Sequence, residues 1–233
     1  MKIAFFSDIH GNKEALTAII NDIKKEKIDE VICLGDIIGI GPNPKECLDI
    51  IIDNNISTVL GNHELYFLKG TEIDVKMGEN EVKHQKWIKS QITSRQKKYL
   101  ENCNIVLERE YNGKKVLFEH FFIENNNALY PFFDLKIIKD EGFKEFIKSS
   151  DYDLIFIGHE HNTFCLDNKV YDIGSSGCTK DNFTKYTIFD TSTFEVEIKN
   201  IEYDRKNFEQ SILKCDYPDR NLIAKWFFGI EIQ

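Results

Sequence analysis

The sequence predicts an α/β fold with four layers, in which two mixed β-sheets pack face to face and helices cover both outer sides. Residues 1–60 alternate apolar strand-like runs with amphipathic helical patterns, an order that builds parallel strands joined by right-handed crossovers. The second half contains short strand-like runs linked by tight turns, which predicts mainly antiparallel strands. Helical patterns lie near both ends of the chain, where they are available to cover the two sheets.

The size and composition of the chain limit its class. Its 233 residues show no shift in composition, which predicts a single domain over residues 1–233, and 42% hydrophobic residues suffice for a sizeable core. The net charge of −9 argues against a partner bound through an extended nucleic-acid backbone, because such binders carry clustered Lys and Arg. Without a long apolar run, a signal sequence or a cysteine-pairing rhythm, we expect a cytoplasmic protein with reduced thiols and no membrane partner. Nothing in the sequence indicates an oligomeric state.

The first half of the chain supplies the parallel strands. The strand KIAFF leads through a glycine turn into a helix that is capped by Asn12 and carries apolar residues at helical spacing. A second strand is predicted at 30–34, and Asn43 as N-cap with Pro44 in the first turn starts the next helix. The third strand is predicted at 57–60.

The rest of the chain begins with helical patterns and then changes to short strands. Residues 65–103 are mostly helical in pattern, with one helix opening at Thr93 or Ser94. The pair Asn112-Gly113 predicts a β-hairpin. Further strands are predicted at 105–111, 114–119, 153–157, 163–166, 169–173, 183–190 and 194–201, and further helices at 140–149, 204–214 and 218–228.

Several side chains are assigned to the core by the same patterns. The last helix has one apolar face, formed by Leu222, Ile223, Trp226 and Phe227. Both tryptophans, Trp87 and Trp226, are expected in the core. Cys33 and Cys165 lie inside strand-like runs and are interpreted as small core residues. Cys178 lies in a Gly-Ser loop, where it is either a reactive thiol or, as we favour, a space-filling residue.

Polar residues that can bind metals follow the apolar runs. Five of the six histidines lie at such strand ends. Alternate residues of a strand project to the same side, so Asp8 and His10 are expected to point into one region. The carboxyl ends of parallel strands meet at one rim of the sheet, which also brings Asp36 and Asn62 there. The seven candidate ligands are Asp8, His10, Asp36, Asn62, His120, His159 and His161.

The chemistry of these donors favours a pair of divalent ions. The set offers oxygen and nitrogen atoms and no thiolate, which suits Mn²⁺, Fe or Zn²⁺ better than Ca²⁺. Seven ligands are too many for one tetrahedral ion and suit two ions that share a carboxylate. Two ions roughly 3.5–4 Å apart can polarise a bridging water into hydroxide, and they can hold both the attacking and the leaving oxygen during a displacement at phosphorus. Phosphoester hydrolysis is therefore the expected chemistry; the alternative for each residue alone is a hydrogen-bonded polar strand end.

The motifs SDIHGN, GD, GNHE, a strand-end histidine and GHEH, in this order over residues 7–161, resemble the calcineurin-like binuclear metallophosphoesterases, in particular their small bacterial branch. The resemblance implies the metallophosphoesterase fold of that family, which is a four-layer α/β-β/α sandwich. It also implies two bound divalent ions, for which Mn²⁺ is the first candidate and Fe or Zn²⁺ are the alternatives. By the same resemblance, the first ion would be held by Asp8, His10 and His161. The second ion would be held by Asn62, His120 and His159, and Asp36 would bridge the two ions.

The resemblance also implies roles near the substrate. His63 would face the phosphate and act as general acid for the leaving oxygen or stabilise its charge, and an ordinary histidine pKa of about 6.5 suits that work. Glu64 would orient His63, although an acidic residue at a helix start is an equally good explanation. Asn12 caps its helix, contacts the substrate, or does both.

The sequence departs from the family pattern at three places. The arginine that follows GD in the protein-phosphatase and symmetrical dinucleoside-tetraphosphatase branches is missing, which counts against both activities; the segment GDIIGIGPNP resembles the loop of small bacterial phosphoesterases, with Ile40 where tyrosine is usual. His120 is followed by Phe121 instead of glycine. The Gly-Ser loop Asp172-Ile-Gly174-Ser175-Ser-Gly177 resembles a family segment near the active site, but Asp172 stands where asparagine is usual. Lys180 is the nearest cation that could replace a second missing arginine, although we favour a solvated surface lysine.

The loop 121–139 contains aromatic residues among asparagines. Such residues could stack on a nucleobase, form a subunit contact or pack against the domain, and we favour packing. The aromatic residues are Phe121, Phe122, Tyr130, Phe132 and Phe133.

The expected function is metal-dependent hydrolysis of a small phosphomonoester or phosphodiester, with nucleotides among the candidates. The alternative is a metal-binding protein-interaction scaffold of the same fold, as in a retromer subunit that has lost the general-acid histidine. The presence of His63 and of all seven ligands favours the enzyme. A nuclease of the same family is a third reading, and the negative charge argues against it.

Overall fold

The computed structural model of the chain describes residues 1–71, 77–124, 128–129 and 141–232. The described strands are β1 Lys2–Phe6, β2 Glu30–Cys33, β3 Ser57–Thr58, β4 Val106–Tyr111, β5 Lys114–Glu119, β6 Ile123–Glu124, β7 Ala128–Leu129, β8 Leu154–Ile157, β9 Thr163–Leu166, β10 Val170–Ile173, β11 Phe183–Asp190 and β12 Glu195–Glu202. The described helices are α1 Lys13–Ile23, α2 Pro44–Asp53, α3 Asn62–Lys69, α4 Glu79–Gln91, α5 Ser94–Leu100, α6 Glu141–Ser149, α7 Arg205–Lys214 and α8 Arg220–Phe228. None of these helices has the length and apolar composition that crossing a membrane would need.

The first sheet has the strand order β12-β11-β1-β2-β3. β1, β2 and β3 pair in parallel, as the alternating pattern of the first 60 residues predicted, and β11 joins β1 antiparallel. The Asn12 side chain caps α1 by accepting from the Ala15 amide at 3.0 Å. Asn43 occupies the N-cap position of α2, but its side chain makes no capping hydrogen bond.

The second sheet has the order β4-β5-β8-β10-β9. The outer pairs are antiparallel, and the hairpin of β4 and β5 turns at Asn112-Gly113 with positive φ at both residues, as predicted. The prediction of a mainly antiparallel second half is wrong at the centre of this sheet, where β5, β8 and β10 run in parallel. A helix, α6, lies between β5 and β8 in the chain, which is the connection that parallel strands need.

Alternating side chains of the strands build the four predicted layers. Ile3 and Phe5 of β1 enter the core between the sheets, where Phe5 contacts Phe118 and Phe156 of the second sheet. The intervening residues of β1 face α1 and α2 on one outer side. On the other outer side, Ile147 of α6 packs over Ile155 of β8 and its neighbours. Each sheet thus has one face against the other sheet and one face against helices.

Two assignments to the core are wrong. Trp226 is 70% exposed, because α8 buries Ala224 and Phe228 instead of the face that contains Leu222 and Trp226. Cys165 is exposed, because it lies on β9 at the edge of the second sheet. Trp87 is half-buried against the core around α1 and α2, and Cys33 is fully buried as predicted.

The segment 121–139 lies only partly within the described residues. Phe121 and Phe122 are buried, which agrees with packing rather than with an open stacking platform. The other aromatic residues of the segment, Tyr130, Phe132 and Phe133, lie outside the described residues.

Candidate metal centre

The candidate ligands follow the carboxyl ends of five strands. In the first sheet Phe6 is level with Cys33, and Cys33 with Thr58; in the second sheet Phe118 is level with Phe156. Parallel register therefore brings the strand ends to one side of both sheets. Asp8 and His10 follow β1, Asp36 follows β2, Asn62 follows β3, His120 follows β5, and His159 and His161 follow β8.

Most of these residues have an unusual backbone conformation. Positive φ values between 46° and 79° occur at Asp8, His10, Asp36, His159 and His161. Among residues with a side chain, asparagine, aspartate and histidine enter this left-handed region most readily. The turns after the strands therefore favour the same residue types that the metal chemistry favours.

The first group of donors consists of Asp8, His10 and His161. Nε2 of His10 lies 2.9 Å from Nε2 of His161, and Oδ1 of Asp8 lies 3.5 Å and 3.3 Å from these two nitrogens. Nδ1 of His10 faces the carbonyl oxygen of Ile38 at 3.3 Å, which leaves Nε2 directed toward the group. Three donor atoms thus converge on one point.

The second group consists of Asn62, His120 and His159. Oδ1 of Asn62 lies 3.2 Å from Nε2 of His120 and 3.0 Å from Nδ1 of His159. Nδ1 of His120 donates to the carbonyl oxygen of Leu34 at 2.7 Å, which orients its ring. The unusual Phe121 contacts both histidine rings edge-on and closes this side of the group. His120 thus joins the group although the glycine that usually follows it is missing.

Asp36 lies between the two groups. Its Oδ2 is 3.2 Å from Nε2 of His120 and 3.7 Å from Nε2 of His10. Its Oδ1 accepts a hydrogen bond from the backbone amide of His63 at 2.9 Å. One carboxylate oxygen therefore faces both groups, which is the position of a shared ligand.

The histidines and carboxylates perturb one another strongly. Burial disfavours protonation of His120 and His161, but the carboxylates of Asp36 and Asp8 outweigh it and raise the pKa of His120 to about 9 and that of His161 to about 11. Burial likewise disfavours ionisation of Asp8 and Asp36, yet His120 and the other nearby histidines hold both pKa values well below the ordinary range. For His159, burial and the nearby His120 outweigh the carboxylates of Asp36 and Asp8 and lower the pKa to about 4.

The donors fit divalent cations. Oδ1 of Asp8 is fully buried and has no hydrogen-bond partner within the described residues, although it faces two histidine nitrogens. An unsatisfied buried carboxylate oxygen is costly, and a cation at this point would satisfy it. Buried or partly buried carboxylate, amide and imidazole donors in two adjoining groups match the oxygen and nitrogen preferences of Mn²⁺, Fe and Zn²⁺.

His63 lies beside the first group, with its ring 5.0 Å from that of His10 between centroids. Nε2 of Gln85 lies 2.9 Å from Nδ1 of His63 and donates to it, so the neutral ring carries its proton on Nε2. Burial lowers the pKa of His63 to about 3. Gly39 leaves the space for this ring, since a Cβ at Gly39 would lie 2.4 Å from Nδ1 of His63. Gly39 of the GDIIGIGPNP segment thus lies against the ring of His63.

Glu64 holds the turn that carries Asp36. Its Oε2 accepts from the amides of Asp36 and Gly61, at 2.8 and 2.9 Å, and its Oε1 accepts from those of Ile37 and Ile38, at 2.9 and 3.1 Å. Both oxygens are therefore occupied by backbone amides. The expectation that Glu64 orients the His63 ring is wrong, whereas the helix-start explanation is correct for the bond to Gly61.

Two predicted substrate contacts lie elsewhere. Asn12 is fully buried; its Oδ1 caps α1, and its Nδ2 donates to the carbonyl oxygen of Gly177 at 2.8 Å. Lys180 is exposed with its stem beside Gly229, and it does not line the cavity of about 300 Å³ at the metal centre. Lys180 follows the Gly-Ser loop closely in the sequence, but this closeness along the chain does not bring its side chain to the site.

Sequence reasoning missed two neighbours of the centre. Gln85 lies on α4, and no local pattern shows that α4 packs beside α3. The sulfur of Cys178 lies within 4.8 Å of ring nitrogens of His10 and His161, and burial raises the pKa of its thiol. The Gly-Ser loop that precedes Cys178 also holds the backbone of Asp8, because the Gly177 amide and the Ser175 hydroxyl both donate to the carbonyl oxygen of Asp8, at 2.9 and 2.8 Å. Its resemblance to a family loop near the active site was the available signal for this position.

Comparisons with known proteins identify the family and the fold. The model of the calcineurin-like phosphoesterase family matches residues 1–163. MJ0912 of Methanocaldococcus jannaschii is 35% identical over 241 residues, which cover 93% of this chain and 94% of that protein. The structures of PH1004 from Pyrococcus horikoshii OT3 and of a metallophosphoesterase from Sphaerobacter thermophilus each match over 99% of both chains, with TM-scores of 0.78 and 0.71 and identities of 18% and 21%.

The two solved structures show that the fold is that of the metallophosphoesterases. The family match covers well over half of the chain and includes the five strand-end segments that carry the candidate ligands up to His161. This protein therefore belongs to the calcineurin-like phosphoesterase family.

Proposed function

We propose that this protein is a binuclear metal-dependent phosphoesterase that hydrolyses a small phosphomonoester or phosphodiester. The observation that supports this most is the position of Asp36, whose Oδ2 faces a histidine of each donor group, at 3.2 and 3.7 Å. A single shared carboxylate between two sets of three donors is suited to two adjacent ions. Cytoplasmic location and a small phosphorylated substrate, without extended nucleic acid, belong to the same proposal.

The ligand sets follow the two groups. The first ion would be held by Asp8, His10 and His161, the second by Asn62, His120 and His159, and both by Asp36. Mn²⁺ is our first choice, with Fe and Zn²⁺ as alternatives. When bound, two such ions supply charge for the phosphoryl oxygens and lower the pKa of a water that can attack phosphorus.

His63 assists the leaving oxygen as a neutral hydrogen-bond donor. A general acid would have to be protonated near neutral pH, whereas burial lowers the pKa of His63 to about 3. The hydrogen bond from Gln85 to Nδ1 leaves the proton on Nε2, where a neutral imidazole can donate to a developing negative charge. Of the two roles expected for His63, stabilisation of the leaving oxygen is therefore favoured over proton transfer.

Phosphate binding relies on the ions and His63. Among the described residues, no Lys or Arg lines the cavity at the centre. A substrate phosphate would then find its positive partners in the bound cations. This agrees with the missing arginines and disfavours the protein-phosphatase and dinucleoside-tetraphosphatase activities that use them. A protein-interaction scaffold would not need His63 with a dedicated hydrogen-bond partner.

The test is hydrolysis of 4-nitrophenyl phosphate and bis(4-nitrophenyl) phosphate by protein loaded with Mn²⁺. We expect release of nitrophenol that a chelator abolishes, and His63→Ala should lower kcat by about 10²-fold with unchanged metal content, the scale of losing one transition-state donor. The ratio of the two rates separates monoesterase from diesterase. Metal-loaded protein that hydrolyses neither ester, or a His63→Ala variant as fast as the parent, would contradict the proposal and favour the scaffold.

A further inference from the structure

A second cavity adjoins the metal centre. It has a volume of about 570 Å³ and lies between α4 and α8; we call it the α4–α8 cleft. The cleft shares Ile40, His63 and Phe227 with the cavity that contains the candidate ligands. His63 thus forms the boundary between the two spaces, with the donor groups on one side and the cleft on the other.

The cleft has an apolar and aromatic wall. The exposed apolar residues of α8 that sequence reasoning assigned to the core line it, namely Leu222, Trp226 and Phe227, which are 55%, 70% and 36% exposed. Ile40 forms the floor next to His63 in a left-handed conformation, with φ of 50°. Such a conformation is strained for a β-branched residue and is typical of functional sites.

The position of α8 over α4 is fixed by specific contacts. The rings of His84 and Trp87 on α4 and of Tyr217 before α8 contact one another, with centroid distances of 5.6 Å for His84–Trp87, 5.4 Å for His84–Tyr217 and 5.1 Å for Trp87–Tyr217. Its Nδ1 donates to the carbonyl oxygen of Pro218 at 3.3 Å, and Asn80 donates to Asp219 at 3.1 Å. The cleft is therefore a built feature of the fold.

The described lining of the cleft is negative or neutral in charge. Glu81 and Asp219 supply carboxylates at its wall, and no Lys or Arg belongs to the described lining. Two buried polar atoms of residues that line the cleft, Nε2 of His84 and Oε1 of Gln85, have no hydrogen-bond partner within the described residues. A second phosphate or a carboxylate on the substrate would find no cationic partner in the described lining, whereas an uncharged or cationic group is compatible with it.

We propose that the α4–α8 cleft binds the leaving group of the substrate, and that this group is an alcohol with an aromatic or apolar body that is uncharged or positively charged. This inference rests on the proposed phosphoesterase function. The phosphorus lies at the donor groups, and His63 lies next to the leaving oxygen, so the body of the alcohol extends past His63 into the cleft. Trp226 stacks on that body, and the carboxylates favour a cation.

The kinetic test uses matched esters of one alcohol. Benzyl phosphate, 4-(aminomethyl)benzyl phosphate and 4-carboxybenzyl phosphate differ in charge but not in the reacting bond, and methyl phosphate lacks the aromatic body. We expect kcat/KM to be at least about tenfold higher for the first two than for the carboxylate ester and for methyl phosphate. The Mn²⁺-loaded full chain is used throughout.

Variants assign the preference to the cleft. Trp226→Ala should lower the benzyl-to-methyl ratio of kcat/KM by about tenfold, chiefly through KM. The double variant Glu81→Gln and Asp219→Asn should reduce the preference for the aminomethyl ester over the carboxylate ester. The control is Leu213→Ala, which removes another exposed apolar side chain, on α7, and should change neither ratio.

A binding measurement keeps this inference separate from the activity. Benzyltrimethylammonium should bind the protein and quench tryptophan fluorescence, phenylacetate should bind at least tenfold more weakly, and calorimetry should show that Trp226→Ala loses the binding. Binding without hydrolysis of any ester would refute the phosphoesterase function and leave the cleft supported. Equal binding of both probes, or selectivity ratios that Trp226→Ala leaves unchanged, would overturn the proposal.

Discussion

The side-chain amide of Gln85 lies 2.9 Å from Nδ1 of His63. The two residues belong to different helices, α4 and α3, so the packing of these helices determines which nitrogen of His63 carries the proton. This relationship replaces the contact with Glu64 that the sequence suggested. It also makes the role of His63 testable without removing the ring.

Gln85→Glu should give the activity a new dependence on pH. A carboxylate at this position accepts from Nδ1–H and raises the pKa of His63, so that Nε2 carries a proton only below the raised pKa. We expect kcat of the variant to fall as the pH rises through that pKa, whereas the parent keeps its Nε2 proton over the same range. The measurement is a pH profile of kcat for 4-nitrophenyl phosphate. Gln91→Glu, on the exposed part of the same helix, is the control, and identical profiles for parent and Gln85→Glu would contradict the assignment.

Metal binding should release protons. Without cations His120 and His161 hold protons at neutral pH, because the carboxylates raise their pKa values to about 9 and about 11. Each must lose its proton to bind a metal, so we expect about two protons released at pH 7.5 and an affinity that rises with pH. Titration calorimetry with Mn²⁺ in buffers of different ionisation enthalpy measures this number. His161→Ala should release fewer protons, and a binding enthalpy independent of the buffer would be the opposite result.

Asp172→Asn should stabilise the protein above pH 5. Asp172 is buried, its Oδ2 has no partner within the described residues, and burial raises its pKa to about 8. Between the unfolded pKa of about 4 and the folded pKa of about 8 the native state binds more protons than the unfolded state, so the free energy of unfolding falls as the pH rises. The side chain of the variant does not ionise, so its free energy of unfolding does not fall in this way. The variant should therefore be more stable than the parent by roughly 1–3 kcal/mol at pH 8.

Thermal unfolding at several pH values between 4 and 8 tests this prediction. The exposed Asp216→Asn serves as the control and should show no such trend. A difference between Asp172→Asn and parent that stays constant over this range would mean that Asp172 ionises normally in the folded protein.

Glu64→Ala should damage both stability and metal binding. The change leaves four backbone amides at the Asp36 turn and the start of α3 without their acceptor. Even one unsatisfied buried donor costs about 1–3 kcal/mol, so we expect a loss of at least roughly 3 kcal/mol in the free energy of unfolding. Metal affinity should also decrease, because Asp36 loses its fixed position. Denaturant unfolding and metal titration measure the two effects, with the exposed Glu79→Ala as control; a variant that resembles this control would refute the account.

The strand-end residues were predictable because two periodicities combine there. A strand such as β1 shows its apolar alternation locally, and the alternation of strands with helices fixes parallel order, so Asp8, Asp36 and Asn62 had to meet. The placement of Gln85 and of α8 was not predictable in this way. It depends on which helices pack together, and an apolar helix face looks the same in sequence whether it covers a core, as Phe228 does, or lines a cleft, as Trp226 does.

The left-handed backbone at five of the candidate ligands restricts how this centre could be redesigned. An exchange such as Asp36→Asn keeps a residue type that tolerates positive φ, so its effect reports on ligand charge alone. A β-branched residue or another poor left-handed former there would cost roughly 1–3 kcal/mol in the turn before any coordination was altered. Attempts to retune the ion preference by changing donor type would therefore confound metal chemistry with chain geometry.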